Sequence, residues 1–328
     1  MIADSLNKFY IKELYKIEKK LSLLLKGKKP DSLYDACRYS LESGGKRLRP
    51  MLVLLSAKAV GGNCNQVYHA ALAVELLHTF TLVHDDIMDN SPKRRGKETV
   101  YKKFDNNTAI LAGDSLAALA FETLLKDCNK KSKEVISSFT KGLITVCEGQ
   151  GLDKEFELKE EVSLKQYKEM IYKKTAALME MCCNISALLC NAKKIHIDFI
   201  TGFGKNLGMA FQIQDDLLDI IGQENEFGKV IGCDLIEGKK TFLLIKAMNK
   251  ADAEEKKALL KLIRSKGIER SEVGFYLKLY SDLGIIKDAK KEIIRYTDLA
   301  LSNLNKLPET EGRNLLVALA KSLVVRSK

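Results

Sequence analysis

With 328 residues the chain can bury a large core as one domain or two, and 46% hydrophobic against 30% charged residues is ordinary for a soluble globular protein. Only four prolines and no tryptophan, with abundant Leu, Ala, Lys and Glu, point to a helix-rich chain. A net charge of +11 admits nucleic acid, an anionic membrane or a phosphorylated substrate as partner. The lysines are spread, however, and no nucleic-acid-binding motif appears, so a lysine-rich solvated surface accounts for most of the charge.

The eight cysteines form neither C-x-x-C nor a Cys/His cluster with zinc spacing. Most fall in apolar helical runs and read as reduced core residues of a cytoplasmic protein. The first twenty residues lack the continuous apolar stretch of a signal peptide. No run reaches about 18 apolar residues, so no transmembrane helix is expected.

In chain order, an amphipathic helix over 6–25 stops at Gly27 and Pro30, and a second over 33–42 breaks at Gly44-Gly45. Pro50 suits the first turn of a helix reaching residue 60, and a long apolar helix follows over 66–89. Residues 90–97, with Pro92, Gly96 and dense positive charge, read as a loop. Helices are predicted over 108–126, 132–151, 164–191 and 195–222, then a glycine-containing loop over 223–240, then three or four more helices. With no strand-period run and no repeat, the chain reads as one all-helical domain over 1–328.

Two apolar helices end in the same acidic spacing: Asp85-Asp86-Ile87-Met88-Asp89 and Asp215-Asp216-Leu217-Leu218-Asp219. Residues three and four apart share a helix face, so each triplet aims carboxylates along one stripe. Acids at a helix C-terminus oppose the macrodipole, which favours cations there, so a bare solvated end explains them poorly. Mg²⁺ prefers hard oxygen ligands, typically one or two carboxylates completed by substrate phosphates. His78, Leu82, Asp85 and Asp89 lie on one face; hydrogen bonding and plain core packing both stay open for His78. Gly208, Gln212, Asp215, Asp216 and Asp219 form the matching stripe on the other helix.

Three basic groups complement the acids. Gly44-Gly45-Lys46-Arg47-Leu48-Arg49-Pro50 puts three cations on a loop entering a helix N-terminus, suited to an anion. Arg94-Arg95 follow the first triplet closely, and Lys229, Lys239 and Lys240 follow the second; taken singly, any run could be a solvated patch, and Arg94-Arg95 a simple charge-balancing loop. Together they describe a site for two diphosphates, one bridged to aspartates by metal and one held by Lys and Arg alone.

Gly44-Gly45-Lys46-x-x-Arg49-Pro50, His78, Asp85-Asp86-x-x-Asp89 with Arg94-Arg95-Gly96, and Phe211-Gln212-x-x-Asp215-Asp216-x-x-Asp219 resemble the trans-polyprenyl diphosphate synthases. The resemblance covers nearly the whole chain and is weakest over the first thirty residues and the C-terminal third. It implies the isoprenoid synthase fold, an antiparallel all-α bundle around a deep central cavity with the two acidic helices facing each other, usually as a homodimer. It implies Mg²⁺, about three ions per site with Mn²⁺ as a substitute, held by Asp85, Asp89 and Asp215 with Asp86, Asp216 and Asp219 in support. Isopentenyl diphosphate would be held by Lys46, Arg49, His78 and Arg95. The allylic diphosphate (dimethylallyl, geranyl or farnesyl) would be held by Arg94, Lys174, Lys229 and Lys239, with Thr175 and Gln212 at the reacting carbons. The adjacent Lys240 leaves open which lysine reaches the phosphate.

The implied reaction is ionisation of the allylic diphosphate, attack by the double bond of isopentenyl diphosphate, and loss of a proton to the released diphosphate. The growing tail would run down the first acidic helix, where one C5 unit matches a turn of about 5.4 Å. Thr81 lies on the face of Asp85, whereas Phe80 is rotated about 140° from it at about 100° per residue. In the family a bulky residue at the position of Phe80 commonly forms the floor; plain packing of Phe80 is the alternative. An aromatic at Phe80 beside small Thr81 resembles archaeal short-chain enzymes, which implies mainly geranylgeranyl diphosphate, with farnesyl diphosphate as a shorter product. The competing readings are a class I terpene cyclase, which has no need of Lys46, Arg49 and Arg95, and a non-catalytic subunit, which would tend to lose a triplet.

Overall fold

The computed structural model describes residues 2–128, 130–222 and 231–325. These residues are almost entirely helical, and their contacts divide into two compact units. The first comprises Met1–Thr140, Met181–Thr201 and Leu304–Leu319; the second comprises Lys141–Glu180, Gly202–Asn303 and Ala320–Lys328.

The first unit opens with α1 (Ile2–Leu24), which buries Leu6, Ile17 and Leu21, and α2 (Asp31–Leu41). Next is α3 (Leu48–Ala59), apolar on nearly every side and buried continuously from Met51 to Ala57, as expected of a central helix. Pro50 sits in its first turn, where a missing N–H costs no helical bond. A 3₁₀ turn, Cys64–Val67, is closed reciprocally by the Asn63 and Gln66 side chains and feeds α4 (Tyr68–Met88). The Asp127 carboxylate accepts from the Ala70 N–H at 2.8 Å, satisfying one orphan donor of the α4 start.

Burying Leu72, Val74, Leu76 and Leu77 of α4 contributes about 1.5–3 kcal/mol each. Much of α4 lies against α6 (Asn106–Leu125), which follows the short α5 (Val100–Lys103). The approach is close because α6 offers Ala109, Ala112 and Gly113; a Cβ at Gly113 would collide with the His84 ring.

In the chain order of the remaining helices come α7 (Ser132–Glu157), α8 (Leu164–Ile171), a π-helical turn (Tyr172–Ala176), α9 (Ala177–Leu189) and α10 (Lys194–Ile221). They are followed by α11 (Cys233–Ile236), α12 (Phe242–Lys250), α13 (Ala253–Arg264), α14 (Val273–Asp282), α15 (Ile285–Leu304) and α16 (Glu311–Val325). The core of the second unit gathers Tyr167, Ile213, Leu217, Phe242, Leu259 and Tyr280, with the Tyr167 and Phe242 rings edge to face at 6.2 Å. The π-turn is packed against α7 and α10: a Cβ on Gly149 would meet the Lys174 backbone, and one on Gly208 would meet Ala176.

Several sequence expectations change. The segment after α4 holds a minimal hairpin, Lys93–Arg94 against Lys97–Glu98, with Arg95 (φ +53°) and Gly96 (φ +78°) in the turn. Both turn residues are left-handed, as a two-residue hairpin loop demands, and Gly96 supplies this cheaply. The helix expected over 164–191 is interrupted by the π-turn, and α7 runs on past Gly151, where an added Cβ would meet nothing. Beyond residue 241 the described residues form five α-helices rather than three or four. Of the cysteines, Cys37, Cys182 and Cys183 are buried, Cys147 is exposed, and the other four are intermediate, so fewer are core residues than the apolar context suggested. Finally, α6 is long and apolar enough to cross a membrane by length and composition, with 39% of that stretch buried. A core helix of a soluble protein passes the same test, and Asp114 and Glu122 interrupt its apolar run, so the expectation of no transmembrane helix is not overturned.

Candidate active site

The first triplet ends α4. Asp89 is its C-cap, its N–H donating to the Asp85 carbonyl at 2.8 Å, so the two outer acids stand one turn apart at the helix end. Asp89 is exposed and Asp85 half-buried, whereas Asp86 is only 4% exposed and accepts from Arg94 Nε at 2.8 Å. Burial pushes the Asp86 carboxyl up, and the Arg94 charge opposes the shift. The hairpin makes neighbouring arginines diverge: Arg94 turns back to Asp86, while Arg95 donates to the Gly44 carbonyl. Gly45 suits that position because its φ of +132° is a conformation L side chains rarely adopt, and the Arg95 guanidinium lies close against it.

On the glycine loop Lys46 is exposed and its carbonyl accepts from the Tyr10 hydroxyl. Arg49 Nη1 lies 2.9 Å from His78 Nε2. Burial, then Arg49, Arg95 and Arg94, hold the His78 pKa well below its ordinary value, so the ring is neutral. Because arginine can only donate, Nε2 accepts and the ring proton sits on Nδ1. Arg47 departs from expectation. Rather than facing an anion with Lys46 and Arg49, it is buried and paired with Glu18 and Glu75. A small pocket is lined by Arg47, Glu75, Thr79, Asp86, Arg94 and Arg95, among others. Lower on α4, Phe80 packs edge-on against His84 at 4.8 Å, and the Thr81 hydroxyl donates to the His78 carbonyl at 2.8 Å.

The second triplet, on α10, repeats the pattern with different partners. Asp215 is exposed; Asp216, 5% exposed, accepts from the Tyr167 hydroxyl at 2.5 Å, Gln212 Nε2 at 3.0 Å and the Phe242 N–H at 3.1 Å. Burial raises its pKa while these donors restrain the rise. Gln212 also takes the Thr175 hydroxyl at 2.6 Å, which links the π-turn to the triplet. Lys174, in that turn, pairs with Asp153 at 2.5 Å. Asp219 accepts from the Asp234 N–H at 3.0 Å.

Sequence reasoning missed Asp234, a fourth acid in this cluster, whose carboxyl is raised by burial and then by the Asp219 charge. Its only sequence signal was an acid near the start of a short helix. Lys239 lies 3.6 Å from Asp234 and 2.6 Å from Glu237, while Lys240 Nζ is directed to the Glu157 carbonyl at 3.4 Å. Of the two lysines, Lys239 is the one beside the acids. Lys229 lies outside the described residues.

Among the described residues no three side chains close into a protein-only metal cage. The donors are nonetheless hard oxygens: Asp215, Asp216 and Asp219 on α10, with Asp234 beside Asp219. That arrangement fits a divalent ion whose remaining ligands come from substrate phosphate and water.

Residues 30–279 match the polyprenyl synthetase family. The chain is 39% identical over 312 residues to a geranylgeranyl pyrophosphate synthase of Geoglobus acetivorans, covering 94% of this chain and 96% of that one. It is 36% identical to a geranylfarnesyl diphosphate synthase of Natronomonas pharaonis over 318 residues, 91% of each chain. The solved geranylgeranyl pyrophosphate synthetase of Pyrococcus horikoshii superposes with a TM-score of 0.90 at 36% identity, covering 98% of both chains. On its sequence, its helical fold and its two acidic helix ends, the chain belongs to the polyprenyl synthetase family of trans-prenyltransferases.

Proposed function

We propose that the protein condenses isopentenyl diphosphate head-to-tail with C5, C10 and C15 allylic diphosphates and releases mainly geranylgeranyl diphosphate for isoprenoid lipid synthesis. The observation that carries this reading is the repeated division of labour in the triplets. In each, the middle aspartate is buried and held by protein donors, which fixes the end of the helix that carries the outer two carboxylates.

Asp85, Asp89 and Asp215 would hold Mg²⁺, about three ions per site, with Asp86, Asp216 and Asp219 behind them. Bound there, the ions supply Lewis acidity that stabilises the charge on the departing diphosphate. The residues do the rest. Arg94, Lys174, Lys229 and Lys239 hold the allylic diphosphate; Lys46, Arg49, His78 and Arg95 hold isopentenyl diphosphate. Neutral His78 adds its Nδ1–H as a donor and brings no further positive charge beside Arg49. The hydrogen-bonded Thr175 and Gln212 present uncharged dipoles to the carbons where positive charge develops. Protein carboxylates committed to cations make poor bases, so the final proton goes to the released diphosphate.

Phe80 and Thr81 are the proposed length-setting residues. Relatives are named for the expected geranylgeranyl product and for the longer geranylfarnesyl product. A homodimer is supported by the exposed Ile110 and Leu111 of α6, and the proposed location is cytoplasmic.

The test is incubation of the purified protein with Mg²⁺, isopentenyl diphosphate and each of the C5, C10 and C15 allylic diphosphates, followed by chain-length analysis. A dominant C20 diphosphate is expected. Absence of elongation from every starter would overturn the reading, and a cyclic hydrocarbon would replace it with a terpene cyclase.

A further inference from the structure

We infer that Arg47 and Glu75 form a positioning device that sets the register of the isopentenyl diphosphate loop against the helix carrying the first acidic triplet. The inference rests on the substrate roles proposed above for Lys46, Arg49 and Asp85, and it gives Arg47 no contact with substrate.

The loop sequence Gly44-Gly45-Lys46-Arg47-Leu48-Arg49 sends its cations to different places. Lys46 is exposed, whereas Arg47 is only 4% exposed and lies in the left-handed region at φ +46°, ψ +40°. A side chain other than glycine stays in that conformation only where its surroundings hold it. What holds it is the guanidinium. Nε donates to Glu18 Oε1 at 2.8 Å and Nη2 to Glu18 Oε2 at 3.2 Å, fork against fork, on α1. Nη2 also donates to the Leu41 carbonyl at 2.6 Å, at the end of α2, and Nη1 to Glu75 Oε1 at 2.6 Å, on α4. One side chain therefore ties three helices to the loop.

Two residues further on, Arg49 meets His78 at 2.9 Å. Glu75 and His78 are three apart on α4 and share a face, so Arg47–Glu75 and Arg49–His78 are successive rungs along one helix. His78 begins the stripe that continues through Leu82 to Asp85 and Asp89. A slip of α4 by one residue, about 1.5 Å, would break both rungs together. The rungs thus fix how far along α4 the cations for isopentenyl diphosphate stand from the first carboxylates.

Stability alone is a poor explanation for the pair. Glu75 Oε2 is buried without a hydrogen-bond partner, a cost that an apolar pair filling the same space would not carry. Condensation, by contrast, needs the double bond held within about 3–3.5 Å of the allylic carbon, and a displacement of about 1 Å can cost about 100-fold.

The experiment uses the full chain with Arg47→Lys and Glu75→Gln, singly and together. Arg47→Lys keeps the charge but loses the fork; Glu75→Gln keeps the shape but loses the charge. Three quantities are measured with Mg²⁺ present: kcat/KM for isopentenyl diphosphate at saturating allylic substrate, KM for the allylic diphosphate, and the slow hydrolysis of allylic diphosphate alone. Each variant is expected to lower the first about tenfold or more, with the other two within about twofold of wild type and helical circular dichroism retained. The double variant should be little worse than either single, because both remove the same rung.

Equal losses in all three quantities, no loss in the first, or unfolding of both variants would overturn the inference, the last by reducing the pair to a packing role. If wild type itself fails to condense the substrates, the proposed function falls instead. If wild type is active and the variants lose nothing, only the positioning role falls.

Discussion

The two acidic helix ends carry the same sequence pattern yet are anchored by different chemistry. Asp86 is held by a cation, Arg94, so the buried charge of the first triplet is balanced inside the protein. Asp216 is held by a hydroxyl, an amide and a backbone N–H, which orient a carboxylate without neutralising it. The second cluster also contains the half-buried Asp234; desolvation raises both carboxyls first, then Asp215 acts on Asp216 and Asp219 on Asp234, with Lys239 opposing the rise of Asp234. A charge-balanced anchor makes a helix end stable by itself. A dipolar anchor instead fixes the direction of the carboxylate through three separate donors, so its loss should show in stability.

The largest effect expected from breaking the comparison is on turnover. Asp85→Asn removes an outer charge without touching the Arg94–Asp86 pair, so we expect kcat to fall by about 10³-fold or more with the helical circular dichroism unchanged. A rate near wild type would refute the metal role of that carboxylate.

The next effect concerns α4 alone, because only the first end is proposed to carry length-setting residues. Phe80→Ala removes a ring packed on His84 and should shift the product beyond C20. An unchanged C20 profile in a radiolabelled chain-length assay would leave Phe80 as packing.

Smaller still is the cost of disturbing the dipolar anchor. Asp216→Asn replaces one acceptor oxygen with a donor among three donors and should destabilise the protein by about 1–3 kcal/mol, read as a shift in the urea midpoint. Tyr167→Phe, which removes a single donor, should cost about 1 kcal/mol. Equal stability of wild type and both variants would show that Asp216 is not anchored in this way.

Much of this site was legible in the sequence because helical periodicity fixes which residues share a face. The spacing of Asp85 and Asp89, and of Gln212 and Asp216, needs only about 100° per residue to become geometry. What periodicity cannot show is a partner from another element. The approach of Tyr167 to Asp216 spans 49 positions and that of Glu18 to Arg47 spans 29, so neither left a local signal. Arg47 was misjudged for a related reason: on a loop, charge density alone does not tell which cation turns inward. The hairpin after α4 escaped notice because two-residue strands are too short for alternation, although Arg95-Gly96 carries the glycine that its turn requires.

The least disruptive test of the cation-rich end is His78→Gln. Burial and then the neighbouring arginines depress the folded-state pKa of His78, whereas the unfolded chain takes up its proton near the ordinary value of about 6.5. The contribution of a neutral His78 is therefore complete above about pH 6.5 and is lost as the pH falls, because the unfolded state binds a proton that the folded state refuses. The slope for one such group cannot exceed about 1.4 kcal/mol per pH unit. Glutamine keeps an acceptor for Arg49 and has no proton to gain, so the variant should match wild type at pH 8 to within a fraction of a kcal/mol and become relatively more stable at pH 5. Other carboxyls titrate over the same range, but they do so in both proteins, and the difference between their urea unfolding curves isolates His78. Parallel curves from pH 8 to 5 would mean that the imidazole charges normally in the folded protein, and that Arg49 does not sit against it.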